Sequence, residues 1–517
     1  MYKLGIDVGG TNTDATLIDE NLNVVASVKR HTTPEVYDGI LAAITAVLEE
    51  SGVNRADIVQ AMLGTTQCTN AIVERKYLAP IGVLRIGAPA TLGIPPMVDW
   101  AEDLKKIAVR TAVIAGGSEY DGKPLAALDE AAARSFFEEL KAEGVQSVAI
   151  SCVFSTVRSD DERRAAELCR EVMGSDVHIS ISSEIGSMGL VERENATILN
   201  AALYRVAESF TEGFARSLAD LGVVNAKVYL SQNDGTLMTM EYARRYPILT
   251  IACGPTNSIR GASYLSKMEN AVVIDVGGTT TDFGVIQNGF PRESSVAVTI
   301  GGVRTNFRMP DVISIGLGGG SIVRERPDGS VTVGPDSVGY RITEEALVFG
   351  GSVCTATDIA VRLGMTDLGD PVKVAHLSEE FAQKAMAAIV QLAEDAIDAM
   401  KVSAEDVDVV LVGGGSIILP AELAGTRHVA KPNYGGVANA IGSAISKVSG
   451  TYEQLVDYLE TPREKALERA KEEAAALAVE AGAVPETVEI IDVEDVPLAY
   501  YPGNTCRVKV KAAGDLR

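Results

Sequence analysis

An octapeptide that occurs twice is the feature that most restricts how this chain can fold. The segment Asp-Val-Gly-Gly-Thr-Asn-Thr-Asp at 7–14 returns at 275–282 as Asp-Val-Gly-Gly-Thr-Thr-Thr-Asp, so that seven of the eight positions are identical. Apolar, β-prone residues flank both copies. Each copy predicts a β-hairpin whose tight turn carries glycines and hydroxyl groups. Because the copies are too far apart for a short-period solenoid, we expect them to begin two related lobes.

Length and charge limit the classes of protein to consider. A chain of 517 residues is long enough for two or three domains, and 46% hydrophobic with 22% charged residues is typical of a globular α/β protein. The formal net charge of −24 argues against nucleic acid or an anionic membrane surface as a partner. No apolar run reaches the roughly 18 residues of a membrane span, and the chain opens on a strand pattern rather than a signal peptide. We therefore expect a cytoplasmic protein.

Cysteine and histidine usage shows no local sign of a metal or nucleophile site. The six cysteines include no C-x-x-C pair, and the four histidines are far apart in sequence. This spacing argues against a structural zinc site or a disulfide framework.

A Gly-Gly-Thr turn is suited to binding phosphate. Glycine permits φ > 0 and lacks the Cβ that would keep a phosphate from the backbone N–H groups, and threonine adds hydroxyl donors. Asp7 and Asp275 each stand two residues before a glycine pair, where a carboxylate can hold a hydrated Mg²⁺ or orient a water. One copy alone is equally well a simple tight hairpin. Two copies that keep both aspartates favour a site.

Two other glycine clusters are candidates for binding. Gly413, Gly414 and Gly415 follow the apolar run 407–412, where missing side chains would let a base and ribose lie against the backbone. A similar cluster at 317–322 has no obvious strand directly before it. Alone, either is as well explained by a turn as by a site, and neither is a Walker A loop.

The motifs, in their order, resemble the hydantoinase A/oxoprolinase family of ATP-dependent cyclic-amide hydrolases and related carboxylases, within the actin, Hsp70 and sugar-kinase ATPase superfamily. The matching segments are 5–14, 64–76, 154–155, 162–164, 195–201, 234–235, 254–255, 274–282, 315–321 and 334–337. The resemblance implies an α/β fold: a two-lobed actin-like ATPase with duplicated ribonuclease H-like lobes. One departure is Ile313, at a position where family members often carry histidine.

We expect four segments on this fold. Residues 1–75 with 225–270 would form the first lobe, 76–224 an inserted α/β subdomain, 271–450 the second lobe, and 451–517 a C-terminal helix and β tail. Within them, the spacing from Ser159 to Glu162 predicts a capping box that opens a helix. The charged stretch 452–481 predicts a solvated helix, and the β-prone runs 487–493 and 505–510 predict a hairpin.

The resemblance also implies roles for particular residues. ATP and Mg²⁺ would be the cofactors, with Asp7 and Asp275 as catalytic and metal-binding residues, and Gly413, Gly414 and Gly415 would meet the adenosine. Thr65, Thr66 and Asn70 would face the nucleotide or substrate from a helix start, although a plain capped helix explains them as well. The residues that would grip the phosphates are Gly9, Gly10, Thr11, Asn12, Thr13, Gly277, Gly278, Thr279 and Thr280.

The implied reaction is ATP-dependent hydrolysis of a cyclic amide of the hydantoin, lactam or 5-oxoproline type. Phosphorylation of the amide oxygen would activate the ring for opening by water. The expected partners are the small cyclic amide and a second subunit, in a homo- or hetero-oligomer. A small-molecule kinase is one alternative, and an ATPase switch or reactivating chaperone that acts on a protein partner is another.

Overall fold

A computed structural model describes residues 1–10, 12–32, 36–294, 298–307, 309–498 and 503–516. Its strands, numbered along the chain, are β1 Tyr2–Val8, β2 Asn12–Asp19, β3 Val24–His31, β4 Ile58–Thr65, β5 Ile81–Ala88, β6 Ala108–Ala115, β7 Ser147–Cys152, β8 His178–Ile181, β9 Lys227–Ser231, β10 Thr236–Thr239, β11 Ala271–Val276, β12 Thr281–Gln287, β13 Phe290–Pro291, β14 Val298–Ile300, β15 Val303–Thr305, β16 Val312–Ile315, β17 Ser321–Glu325, β18 Val331–Ser337, β19 Val407–Val412, β20 Thr426–Ala430, β21 Lys447–Asp457, β22 Glu489–Pro497 and β23 Thr505–Gly514.

Helices alternate with these strands. They are α1 Val36–Ser51, α2 Gln67–Glu74, α3 Glu102–Lys105, α4 Glu130–Ala142, α5 Asp160–Met173, α6 Leu190–Ala202, α7 Tyr204–Asp220, α8 Met240–Arg245, α9 Cys253–Ser266, α10 Ile342–Glu345, α11 Ala356–Arg362, α12 Glu379–Met400, α13 Ala438–Ile445 and α14 Arg463–Glu480. None of the helices within the described ranges combines the length and the apolar composition needed to cross a membrane.

The two copies of the octapeptide open two sheets with the same local plan. In the first sheet, of order β22-β23-β21-β10-β9-β4-β1-β2-β3, β1 pairs antiparallel with β2 and parallel with β4. In the second, of order β13-β12-β11-β19-β20, β11 pairs antiparallel with β12 and parallel with β19, and β16 also pairs with β12. This repetition confirms the predicted duplicated α/β lobes.

A separate sheet is formed by residues that lie, in the sequence, between β4 and β9 of the first sheet. Its four parallel strands, in the order β6-β5-β7-β8, are covered by α4 and α5. Phe137 and Leu140 of α4 are fully buried against it, because the apolar positions of this helix recur on one face.

The C-terminal residues extend the first sheet. Strand β21 begins at Lys447, pairs in parallel with β10, and is followed by the antiparallel partners β23 and β22. The predicted helix at 452–481 is therefore wrong over its first residues, because 452–457 belong to β21 and α14 begins only at Arg463. Helix α14 is also not solvated all round: one face packs on β21 and β23 through buried alanines at 466, 470, 474 and 478.

Two crossed helices connect the lobes. Helix α9 leads from the first sheet to the second, and α13 leads back. A Cβ at Gly261 would lie 1.9 Å from the carbonyl oxygen of Ala438, and one at Gly442 would lie 1.8 Å from that of Asn257. Only glycine permits backbones to approach this closely, so these two positions fix how near the helices, and with them the lobes, can lie.

A small hairpin makes a second connection. Strands β14 and β15 follow the second-lobe hairpin in sequence, yet Ile300, Val303 and Phe307 are buried in the hydrophobic core of the first lobe. The Arg75 guanidinium donates to the Gly301 carbonyl oxygen at 2.7 Å and so holds the tip of this hairpin against the first lobe.

Candidate functional site

The two Gly-Gly-Thr turns have the same hydrogen bond. The Gly9 amide donates to the Asn12 carbonyl oxygen at 2.9 Å, and the Gly277 amide donates to the Thr280 carbonyl oxygen at 2.9 Å. None of the four glycines of the turns has a positive φ, so they act through the missing Cβ rather than through left-handed backbone. At Gly9 and at Gly277 a Cβ would already stand 3.1 Å from the oxygen that closes the turn.

The other turn residues divide between the surface and the interior. Gly10, Thr279 and Thr280 are exposed, and Gly9, Asn12, Gly277 and Gly278 are partly so. Thr13 is fully buried, with its hydroxyl 3.2 Å from that of Thr32, which in turn donates to the Gly9 carbonyl oxygen. Thr11 lies outside the described residues.

Asp7 and Asp275 occupy equivalent places in the two lobes. Each lies directly opposite the last aspartate of its own octapeptide, since Asp7 pairs with Asp14 and Asp275 with Asp282. Each carboxylate also lies against a glycine at the end of the neighbouring parallel strand. A Cβ at Gly64 would lie 2.4 Å from Asp7 Oδ1, and a Cβ at Gly413 would lie 2.3 Å from Asp275 Oδ1.

Helix α9 brings the two aspartates together. Asn257 Nδ2 donates to Asp7 Oδ1 at 3.3 Å, and the neighbouring Ser258 hydroxyl donates to Asp275 Oδ2. From α13, Asn439 Nδ2 donates to Asp7 Oδ2 at 2.9 Å. The hairpins of the two lobes therefore meet at the crossing of α9 and α13, and this meeting place is called the cleft below.

Four carboxyl groups make this cleft acidic. Burial, and then the charge of Asp14, raise the pKa of Asp7 to about 6. Burial also raises the pKa of Asp282 to about 6, and it raises the pKa values of Asp14 and Asp275. The charge of Asp275 contributes to the rise at Asp7, Asp14 and Asp282, which shows that the two lobes are electrostatically coupled. Binding of a cation at such a site is favourable, because the positive charge relieves the repulsion between the carboxylates.

The arrangement does not form a complete cage for a metal ion. Within the described ranges, no group of three or more histidine, cysteine, aspartate or glutamate side chains could hold an ion together. Asp14 Oδ1 and Asn257 Oδ1 are buried and have no hydrogen-bond partner among the described residues. Buried oxygens without partners are costly, and a water or cation would satisfy them. A Mg²⁺ that keeps several waters fits this donor set.

Both glycine clusters pack on the second turn. The Gly415 amide donates to the Val276 carbonyl oxygen at 2.8 Å, and a Cβ at Gly415 would lie 2.4 Å from the Gly277 oxygen. The amides of Gly319 and Gly320 donate to the carbonyl oxygens of Gly277 and Gly278 at 3.0 and 2.8 Å. Strand β16 does precede the cluster at 317–322, contrary to the sequence pattern. The residues of β16 do not by themselves predict a strand, and the strand is stabilised by its antiparallel pairing with β12.

Thr65, Thr66 and Asn70 lie beside the end of β1. The Thr66 amide and hydroxyl both bond to the Val8 carbonyl oxygen, at 3.1 and 3.2 Å, and Asn70 Nδ2 donates to the Thr66 hydroxyl at 3.3 Å. The Thr65 hydroxyl accepts from the Gln67 amide at 3.2 Å. The Thr66 hydroxyl accepts no capping bond from α2, so a capped helix start does not explain it.

Sequence reasoning missed several residues of this cleft. Asp14 and Asp282 close the two copies of the octapeptide, so the repeat itself was a signal for them. Asn257, Ser258 and Asn439 carry no such signal, because only the crossing of α9 and α13 brings them to the aspartates.

The fold is shared with a solved enzyme. The structure of an ATP-dependent caprolactamase from Pseudomonas jessenii superposes with a TM-score of 0.79 at 21% identity, over 100% of this chain and 88% of that one.

Sequence comparison finds curated relatives. An uncharacterised protein of Methanocaldococcus jannaschii, MJ0964, is 26% identical over 77% of this chain and 62% of its own length. The caprolactamase subunit alpha of Pseudomonas jessenii is 27% identical over 70% of this chain and 54% of its own length. The chain thus spans less than two-thirds of these relatives.

Two family profiles match along the chain. Residues 3–173 match the hydantoinase/oxoprolinase N-terminal region, and residues 193–367 match the hydantoinase/oxoprolinase profile. Together the matches cover about two-thirds of the sequence and include both copies of the octapeptide. With the paired hairpins and the shared fold, they show that this chain belongs to the hydantoinase/oxoprolinase family.

Proposed function

We propose that this chain uses ATP to open a cyclic amide of the hydantoin, lactam or 5-oxoproline type. The observation that carries the proposal is the meeting of the two Asp-x-Gly-Gly-Thr hairpins at one acidic cleft, in a member of this family. The name of the caprolactamase relative supports a ring amide as the substrate class.

In the proposed reaction, the γ-phosphoryl group of ATP passes to the amide oxygen of the ring. Water then adds to the activated carbon, the C–N bond breaks, and the products are the ring-opened acid, ADP and phosphate. Such chemistry depends on positioning and on neutralisation of charge, and it needs no covalent nucleophile from the protein.

The residues divide this work between them. The exposed amides and hydroxyls of the two turns bind phosphate oxygens, and Gly413, Gly414 and Gly415 leave room for the adenosine. Asp7 and Asp275 hold a hydrated Mg²⁺, which neutralises phosphate charge when it is bound. Asn257, Ser258 and Asn439 fix the orientation of the two carboxylates.

We also propose a second subunit. The caprolactamase relative is an alpha subunit, and the chain covers 54% of its length. A partner chain would contribute to the binding of the ring.

The test combines the chain, purified together with any subunit that copurifies with it, with ATP, Mg²⁺ and hydantoin, caprolactam or 5-oxoproline, and follows ADP and ring-opened acid together. Formation of both in equal amounts is the expected result. ADP with a stable phosphorylated product would instead identify a kinase. Slow ATP turnover that rises only with a protein partner, without ring opening, would identify a switch.

A further inference from the structure

Lys29 is a cation at the acidic cleft. It lies on β3 directly opposite Asp14 of β2, and its Nζ is 2.6 Å from Asp14 Oδ2. Of the ion pairs within the described ranges, this is the one that involves any of the four cleft carboxylates. The Asp14 side chain is 2% exposed, whereas that of Lys29 is 36% exposed. The lysine is therefore anchored on a buried carboxylate while about a third of its own side chain is exposed.

The lysine also reaches the second lobe. A Cβ at Gly414 would lie 3.9 Å from Lys29 Cε, so the side chain borders the glycine cluster beside the second turn. Its positive charge offsets part of the rise that burial causes in the pKa of Asp275, which belongs to the second hairpin. Lys29 thus stands between the two hairpins rather than on the outside of the first.

A purely structural role does not explain the charge. In the second lobe Asp282 is the counterpart of Asp14, and the residue directly opposite it is Ser314, whose hydroxyl donates to Asp282 Oδ1. A neutral hydroxyl therefore serves this position in the second lobe, where the carboxylate is partly exposed. An ion pair whose cation is this exposed also contributes little net stability, because water screens the attraction.

Resting on the proposed function, we propose that Lys29, oriented by Asp14, binds the phosphate oxygens of the nucleotide. An ammonium group has three N–H donors, and the bond to Asp14 uses one of them. That bond leaves two donors for another acceptor. Lys29 would be a phosphate-binding residue, and Asp14 a positioning residue that acts through it.

The test measures equilibrium binding of ATP and of adenosine to Lys29→Met by calorimetry, without an amide substrate. We expect ATP affinity to fall by about 10- to 100-fold, the effect of losing a hydrogen bond to a charged group, and adenosine affinity to stay within twofold. Arg30→Met is the matched control, because Arg30 is the next residue of β3, is exposed, and points to the other face of the strand.

Each outcome decides the question. ATP affinity within twofold of the unmodified chain in Lys29→Met would overturn the proposal, as would an equal loss for adenosine, which would indicate a general structural defect. Recovery of most ATP affinity in Lys29→Arg would support it, because arginine restores the charge. If the unmodified chain bound neither ATP nor adenosine, the proposed function itself would fail, and that result is separate from any effect of Lys29.

Discussion

Asn257 and Ser258 are consecutive residues of α9, yet they donate to carboxylates of different lobes, Asn257 to Asp7 and Ser258 to Asp275. Adjacent helical residues point about 100° apart, so one turn of helix serves both sheets. A change in the angle between the lobes would alter both bonds at once. The aspartates are therefore positioned by the same helix that connects the lobes.

The bond from Ser258 is expected to control the acid limb of activity. It lowers the pKa of Asp275, which burial raises, so Ser258→Ala should raise that pKa further. Since the ionised carboxylate is the form that holds a cation, ATP turnover of the variant should fall more at pH 6 than at pH 8. A pH–rate profile measures this shift. Ser263→Ala, which removes a hydroxyl bonded to the Met268 carbonyl oxygen of the same region, should leave the profile unchanged.

Asp7 is expected to be essential for turnover. Asp7→Asn keeps the shape of the side chain but removes its charge, and we expect ATP turnover to fall by about a hundredfold or more, as when one preorganised electrostatic group is lost. Steady-state release of phosphate measures the effect. Asp38→Asn, on the exposed side of α1, removes the same charge and should keep full activity. Normal turnover in Asp7→Asn would contradict the assignment.

The same substitution makes a prediction about stability. The pKa of Asp7 is raised from 3.8 to about 6, so between about pH 4 and pH 6 the folded state keeps a proton that the unfolded state releases. The free energy of unfolding therefore falls as pH rises through this range, by about 3 kcal/mol in total. Asp7→Asn has no ionisable group at this position, so its free energy of unfolding does not show this fall. Urea unfolding without ligand should show the variant gaining on the unmodified chain from pH 4 to pH 7.5, and a constant difference would refute the argument.

Gly64 is expected to tolerate no side chain. The Cβ of Gly64→Ala would lie 2.4 Å from both Asp7 Oδ1 and Asn257 Nδ2, so the carboxylate and its donor must move apart. We expect a loss of about 1–3 kcal/mol in stability and of most nucleotide binding. Gly436→Ala is the control, because a Cβ there meets nothing within 4 Å. Thermal unfolding and nucleotide titration of the two variants should differ clearly.

The repeat was predictable because its signal is local. Glycines and threonines between two β-prone runs favour a tight hairpin whatever the rest of the chain does, and both copies form one. The periodicity that predicted helix at 452–457 was overridden by β10 and β23, which are distant in sequence and pair with β21.

The helix cap at Ser159 and the hydrogen-bond partners of the aspartates also depend on residues that are distant in the sequence. Ser159 begins α5 as expected, but the predicted capping box is wrong: Ser159 accepts no capping bond, and Glu162 instead accepts from the Ser182 hydroxyl and the Ser183 amide. The local capping pattern was overridden here by the buried tertiary contact between Glu162 and the residues 182–183. The donors from Asn257 and Asn439 were equally invisible, because their spacing from Asp7 in the sequence has no meaning until α9 and α13 cross.

The hairpin of β14 and β15 has a consequence for how this chain is made. Ile300, Val303 and Phe307 complete the interior of a lobe whose first strand is Tyr2–Val8, and β21 and β23 complete its sheet from the far end of the sequence. A ribosome therefore exports the beginning of this lobe long before its last partners exist. Until then the nascent chain carries unpaired strand edges and uncovered apolar surface, which make it prone to aggregate. Chaperones that bind at the ribosome exit tunnel would protect it during this time.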